Sequence, residues 1–145
     1  MTTLKSGWLS TLLRRQQRAA AAPAIIKAWS LAGFIASALS QDVHDELVER
    51  LRAKSGSRRN GSKPLTDALA NLENVSDMVA VVGWNVDIEP GILLSGKALR
   101  QPEDCWRRIY PDGFVVCDQP LSQFLIVDFD DVGCVIDELR LSNGD

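Results

Sequence analysis

MVAVVGW, residues Met78 to Trp84, decides the fold class of this chain. It is a continuous apolar run rich in β-branched residues, which indicates a buried strand. Two further runs of this kind, FLIVDF (Phe124–Phe129) and CVIDELRL (Cys134–Leu141), flank an Asp-Asp-Val-Gly segment and predict a hairpin. FVVC (Phe114–Cys117) predicts one more strand. The second half of the chain is therefore predicted to form a sheet.

The residues before Met78 have the apolar spacing of helices instead. Apolar positions recur three or four residues apart in residues 4–13, 41–54 and 65–72, the period of an amphipathic helix. Pro23 predicts the start of a separate apolar helix, because its fixed φ suits a first helical turn. One short helix, residues 102–109, is predicted among the strands.

This order of elements predicts an α+β fold, with N-terminal helices packed on one face of a mostly antiparallel C-terminal sheet. The length of 145 residues favours a single domain, residues 1–145, with a helical part (1–74) and a sheet part (75–145). SGSRRNGSKP (Ser55–Pro64) is rich in Gly, Ser and cations. It predicts a mobile basic loop at residues 55–63.

Cysteine usage and the one long apolar stretch bear on where the protein resides. Cys105, Cys117 and Cys134 are an odd number without a C-x-x-C pair, which favours a reducing compartment, so we predict a cytoplasmic protein without a cofactor. Residues 19–40 have the length of a membrane span, but Lys27 lies within them and alanines dominate. A buried helix is favoured over a targeting segment, and no membrane partner is predicted.

Charge divides the chain into two unlike halves. Residues 1–63 carry 11 Lys and Arg against 4 Asp and Glu, whereas residues 64–145 carry 5 against 15. The basic half suits nucleic acid and the acidic half suits a cationic protein. Alternatively, the two halves neutralise each other in the folded protein.

GILLSGKA (Gly91–Ala98) matches the G-x-x-x-x-G-K skeleton of a phosphate-binding loop, and Asp128 ends an apolar strand as a magnesium ligand would. Three points argue against this site. The loop interior is bulky and apolar, Ala98 replaces the hydroxyl residue that binds magnesium, and hairpins follow instead of parallel strands. A nucleotide hydrolase using Lys97 and Asp128 is the least favoured function.

The acidic hairpin has two interpretations. Five carboxylates crowd it, and they favour either a metal or nuclease site or a turn, with the turn preferred because Asp caps backbone N–H groups there. Three aromatic residues near turns are typical either of interface anchors or of the core. His44 is expected on the polar side of its helix. No metal site is predicted.

We therefore expect a protein-binding module, such as an inhibitor, an immunity protein or a chaperone for a basic protein. A function without catalysis is favoured over an enzyme, and the oligomeric state is not predicted. The candidate partner-binding residues are Trp84, Trp106, Tyr110, Asp128, Asp130, Asp131, Asp137 and Glu138. The alternative is a nucleic-acid-associated protein, whose candidate contacts are Arg14, Arg15, Arg18, Arg58 and Arg59.

Overall fold

A computed structural model describes residues 2–53, 56–61, 64–73, 77–130 and 134–141. These ranges form four α-helices, one 3-10 helix and seven strands. The helices are α1 (Thr2–Leu31), α2 (Gln41–Ala53), α3 (Leu65–Glu73), the 3-10 helix (Gly96–Arg100) and α4 (Glu103–Ile109). The strands are β1 (Ser37–Ala38), β2 (Gly56–Gly61), β3 (Met78–Gly83), β4 (Gly91–Ser95), β5 (Gly113–Asp118), β6 (Gln123–Phe129) and β7 (Cys134–Leu141).

All seven strands belong to one sheet, in the order β1-β4-β3-β5-β6-β7-β2. Every neighbouring pair is antiparallel. The predicted α+β class is confirmed, and so are the apolar strands predicted in the second half. The residues between β6 and β7 at positions 131–133 lie outside the described ranges.

One face of the sheet carries the larger core. The end of α1, α3, the 3-10 helix and α4 cover this face. Its centre is aromatic, since the indole of Trp106 stacks on the ring of Phe114 with centroids 4.3 Å apart. Trp29 of α1 completes the group by donating a 3.1 Å hydrogen bond from Nε1 to the Tyr110 hydroxyl.

The opposite face carries a second, smaller core beneath α2. Leu47 of α2 is fully buried there against a cluster that includes Ala80, Val82 and Val115. The predicted packing of the helices on one face of the sheet thus holds for α1, α3 and α4, whereas α2 covers the opposite face. Strand alternation explains this, because consecutive residues of β3 and β5 point to opposite faces and both sets are apolar.

The N-terminal segment is one continuous helix of 30 residues, so the predicted helix start at Pro23 is wrong. Pro23 and Ala19 are both exposed, so water can satisfy the carbonyl that the proline ring leaves without a partner. The helix ends where Gly33 adopts φ +95°. There the Phe34 N–H reaches the Trp29 carbonyl and the Gly33 N–H reaches Ser30, the Schellman pattern of a helix end.

Residues 56–61 form the edge strand β2, so the predicted basic loop is wrong over these residues. The strand pairs antiparallel with β7, and the register places Arg59 opposite Glu138. Charged residues are common on sheet edges. Alternation of apolar residues, the signal for a strand, is absent from GSRRNG. Strands β1 and β2 come from the predicted helical part (1–74), but they lie in the same sheet as the strands of the predicted sheet part (75–145).

Candidate protein-binding surface

Trp84 is the predicted aromatic anchor that remains on the surface. It follows β3 directly and is 40% exposed. Its ring lies against the first residue of β5, because a Cβ added to Gly113 would stand 2.9 Å from Trp84 Cε3. Gly113 has φ +126°, a conformation that L side chains rarely adopt. A glycine at this position thus lets the indole rest on the backbone of β5.

The strand register carries this surface across β6 and β7. Gly113 pairs with Asp128, and Asp128 pairs with Val135. The side chains of Asp128 and Val135 are both exposed, and that of Val135 is 42% exposed. From β5 to β7 the row crosses two strand spacings, roughly 10 Å. An indole, a carboxylate and an aliphatic side chain therefore follow one another along one end of the sheet.

Two half-buried residues extend this row toward the second core. Ile126 packs against that core, and Asp128 continues the same alternation along β6. Asp137 pairs with Ile126 in register and so lies on the same face of β7. We call Trp84, Ile126, Asp128, Val135 and Asp137 the Trp84 surface. It combines an aromatic group, aliphatic groups and two carboxylates.

The other predicted acidic residues lie elsewhere. Glu138 points to the opposite face from Asp137, where its register partner is Arg59. Asp130 is exposed beyond the end of β6, and its carbonyl accepts a 3.3 Å hydrogen bond from Arg107 Nη1. Asp131 lies outside the described residues. Among the four of these carboxylates that the structure describes, Asp128 and Asp137 share a face with Trp84.

Trp106 and Tyr110 are core residues, so the prediction that they anchor a partner is wrong. Trp106 is 0% exposed and Tyr110 is 2% exposed. The rings of Trp29 and Phe114 each contact both of them on the α4 side of the sheet, and Phe129 packs against Phe114. Burial raises the pKa of the Tyr110 hydroxyl, which stays neutral and accepts the hydrogen bond from Trp29.

Two buried polar side chains hold the β3–β4 connection, which carries Trp84. Arg18 of α1 donates from Nε to the Asp87 carbonyl at 2.7 Å. His44 of α2 donates from Nε2 to the Val86 carbonyl, also at 2.7 Å. Within the connection, the Asn85 N–H reaches Glu89 Oε2 at 2.7 Å. Hydrogen bonds from α1 and α2, and one within the connection itself, thus hold the segment that follows Trp84.

His44 is 1% exposed, so its predicted place on the polar side of α2 is wrong. Its ring lies on Gly91, where an added Cβ would stand 2.7 Å from Nδ1. Burial, followed by the nearby charge of Arg18, lowers the pKa of His44. The sequence does hold a signal for this position, because His44, Leu47 and Leu51 fall at helical spacing on one stripe.

Two of the five cations proposed for nucleic acid, Arg15 and Arg18, form ion pairs within the protein. Arg18 is 3% exposed and donates from Nη1 to Asp45 at 2.6 Å. Arg15 donates to the same carboxylate at 2.6 Å and also to Asp42 at 3.1 Å. Arg14 contacts the Thr11 hydroxyl at 3.4 Å. Arg58 and Arg59 lie on β2, whose register partners on β7 are Leu139 and Glu138.

The two residues proposed for nucleotide hydrolysis lie at opposite ends of the sheet. Lys97 follows Ser95, which pairs with Met78 at the start of β3, whereas Asp128 pairs with Gly113 beyond the far end of β3. The length of β3 between them is roughly 17 Å. Since β4 runs antiparallel to β3, a parallel strand does not lead into the lysine loop. The structure therefore does not assemble this site.

Neither a metal centre nor a membrane span is found in the part of the chain that the structure describes. No three His, Cys, Asp or Glu side chains within it lie close enough together to hold a metal ion. None of its helices is both long and apolar enough to cross a bilayer.

No protein-family model matches the chain, and searches of curated proteins and of solved structures likewise gave no match. The assignment of the Trp84 surface as a binding surface is therefore supported by its geometry alone.

Proposed function

We propose that this protein is a binding module that holds a basic segment of another protein on the Trp84 surface. The observation that supports it is the row of Trp84, Asp128 and Val135 across neighbouring strands, all three exposed. Tryptophan is enriched among residues that carry most of the energy at protein interfaces. An exposed indole beside a carboxylate suits an arginine or lysine side chain of a partner.

The charge of the C-terminal half supports a basic partner. Ten negative charges in excess over residues 64–145 attract a cationic protein and raise its association rate. Two cations of the N-terminal half, Arg15 and Arg18, already contact a carboxylate within the chain. A role as an inhibitor, an immunity protein or a chaperone for a cationic protein belongs to this proposal.

A quantitative affinity capture from cells of the native host tests the proposed function. The full chain is compared with Trp84→Ala and Asp128→Asn, and with Ile35→Ala as the matched control. Ile35 is 93% exposed but lies in the α1–β1 connection. We expect one basic protein to be recovered by the wild type and the control, and to be depleted about tenfold or more by both variants.

Repeating the capture with added salt separates the contribution of electrostatic attraction from that of apolar contacts. Recovery is expected to fall with salt for the wild type, because screening weakens attraction between exposed charges. A protein recovered equally by wild type, Trp84→Ala and Asp128→Asn would show that it binds elsewhere. Recovery of nucleic acid with the wild type, lost after nuclease treatment, would support the alternative function instead.

A further inference from the structure

A cleft lies between the middle of α1, the start of α2 and the start of β4. Its volume is about 500 Å³, within the range of roughly 300–1,000 Å³ that is typical of small-molecule sites. Ala22 of α1, His44 of α2 and Gly91 of β4 are buried residues that line it, whereas Ala19 and Pro23 are exposed residues at its rim. The cleft is therefore a concave surface that is open to solvent on one side.

The α1 wall of this cleft is apolar and comes from one face of the helix. Ala19, Ala22, Pro23 and Ile26 line it, and their spacings of three, four and seven residues place them side by side. Alanine is the smallest side chain with a Cβ, so the two alanines leave space that a longer side chain would fill. Leu39 adds an aliphatic group from the β1–α2 connection. Most of the surface available to a ligand is therefore apolar.

His44 contributes an unpaired hydrogen-bond acceptor to the cleft. Its Nε2 donates to the Val86 carbonyl, so in the neutral ring Nδ1 carries a lone pair instead of a proton. Burial lowers the pKa of His44, which keeps the ring neutral at pH 7. The Nδ1 edge of the ring faces Gly91, another lining residue, because a Cβ added there would stand 2.7 Å from Nδ1. Nδ1 has no hydrogen-bond partner within the described part of the chain.

The Ala19 carbonyl is a second acceptor that lacks its donor. In a regular helix it would accept a hydrogen bond from the N–H of residue 23, but this residue is Pro23, which has no N–H. The carbonyl points along α1 toward Pro23, and both residues line the cleft. Two acceptors without donors therefore border one largely apolar cleft, and a ligand that carries donors can pair with them.

The charge at the cleft is already balanced. Arg18 is the charged residue among the described residues that line it, and its guanidinium binds Asp45 Oδ1 at 2.6 Å and Gln41 Oε1 at 3.2 Å. A charged ligand would lose hydration on entering without gaining a free counter-charge. The cleft therefore favours an uncharged ligand.

We propose that this cleft binds a small, uncharged, largely apolar molecule that carries N–H or O–H donors. The apolar part of the ligand contacts the α1 wall and Leu39, and its donors pair with His44 Nδ1 and the Ala19 carbonyl. Small-molecule sites are typically built in this way, with apolar walls and a few placed polar groups. The cleft is separate from the Trp84 surface, because none of the residues that define that surface lines it.

Titration of the ¹⁵N-labelled full chain with indole, followed by NMR, tests the proposal. Indole is an uncharged apolar ring compound with one N–H donor, and 1-methylindole is the matched probe without that donor. We expect indole to shift the amide signals of Ala22, His44 and Gly91 in a saturable manner. We expect 1-methylindole to bind about tenfold or more weakly, because it offers no donor to either acceptor.

Two neighbouring alanines of α1 provide a matched pair of variants. Ala19→Phe places a large ring at the rim of the cleft and is expected to weaken indole binding about tenfold or more. Ala20→Phe is the control, because Ala20 is also exposed on α1 but does not line the cleft. Trp84→Ala is expected to leave the affinity for indole unchanged. Circular dichroism confirms that each variant is folded.

Three outcomes would overturn the proposal: no saturable shifts at the cleft up to the solubility limit of indole, equal affinities for indole and 1-methylindole, or equal affinities of Ala19→Phe and Ala20→Phe for indole. Indole-3-acetate is the charged comparison. If it bound about tenfold more tightly than indole, the cleft would be an anion site and the proposed ligand class would be wrong. These results are independent of the proposed function, because Ala19→Phe leaves the Trp84 surface unaltered.

Discussion

Asp45 of α2 accepts a 2.6 Å hydrogen bond from Nη1 of Arg18, a side chain that is 3% exposed in the middle of α1. The guanidinium also reaches Gln41 and the Asp87 carbonyl. One buried cation thus joins α1, α2 and the β3–β4 connection. Burial opposes ionisation of Asp45, but hydrogen bonds from Arg18 and Arg15 outweigh it and lower the pKa of this carboxyl.

Removing the charge of Asp45 is expected to destabilise the protein strongly. Asp45→Asn leaves a buried guanidinium without its counter-charge, a change that costs about 3 kcal/mol or more. Asp42→Asn is the matched control, because the Asp42 side chain is 91% exposed in its ion pair with Arg15. Exposed pairs contribute about 1 kcal/mol or less. Urea unfolding measures both, and equal losses would contradict the special role of Asp45.

The buried histidine gives a pH dependence of known sign. Burial lowers the folded-state pKa of His44 below the ordinary value of 6.5, so the unfolded chain binds the proton first. The free energy of unfolding is therefore expected to decrease as pH falls below 6.5, until the folded-state pKa is reached. The slope is at most about 1.4 kcal/mol per pH unit.

Urea unfolding between pH 8 and pH 5 measures this slope. His44 is the only histidine, so His44→Gln removes the effect while keeping a side-chain N–H donor near the Val86 carbonyl. An unchanged slope in this variant would show that another group causes the loss.

One substitution made at two glycines is expected to have opposite effects. At Gly113, φ is +126° and an added Cβ would overlap the Val127 carbonyl, so Gly113→Ala is expected to cost about 1–3 kcal/mol. At Gly7, nothing lies within 4 Å of an added Cβ and the residue is inside α1. Gly7→Ala is therefore expected to stabilise by about 0.5–1 kcal/mol. Thermal unfolding distinguishes the signs, and a stable Gly113→Ala would contradict the assigned backbone strain.

Tyr110→Phe isolates the buried hydrogen bond between Trp29 and Tyr110. The ring packing is retained, but the Trp29 Nε1–H loses its acceptor. An unpaired buried donor costs about 1–3 kcal/mol. Trp8→Phe, on an exposed part of α1, is the comparison and is expected to cost about 0.5 kcal/mol or less. No difference between the two variants in urea would mean that the bond contributes no net stability.

Local patterns were sufficient for most of the fold. The strands β3, β5, β6 and β7 can be recognised from short apolar runs, because the burial of a strand determines the type of its consecutive side chains. The helical period does the same for α2 and α3. The strand β2 was missed because an edge strand needs a neighbour, β7, rather than an apolar pattern of its own.

The candidate site was predicted only in part, because its residues come together over long distances in sequence. Trp84 and Asp128 were among the predicted residues, and the strand register brings them near each other. Trp106 was misplaced because a short helix does not reveal which side faces the core. Arg18 was misplaced because its partner Asp45 is 27 residues away and the Asp87 carbonyl is 69 residues away.

Both edges of the sheet come from the first 61 residues, whereas its five central strands come from residues 78–141. During synthesis the edge strands thus leave the ribosome before the strands that they pair with. Trp29 precedes its hydrogen-bond partner Tyr110 by 81 residues, which corresponds to roughly 4–16 seconds of translation. For that interval the indole has no native pocket. The two edge strands of the sheet are thus synthesised before any of its five central strands.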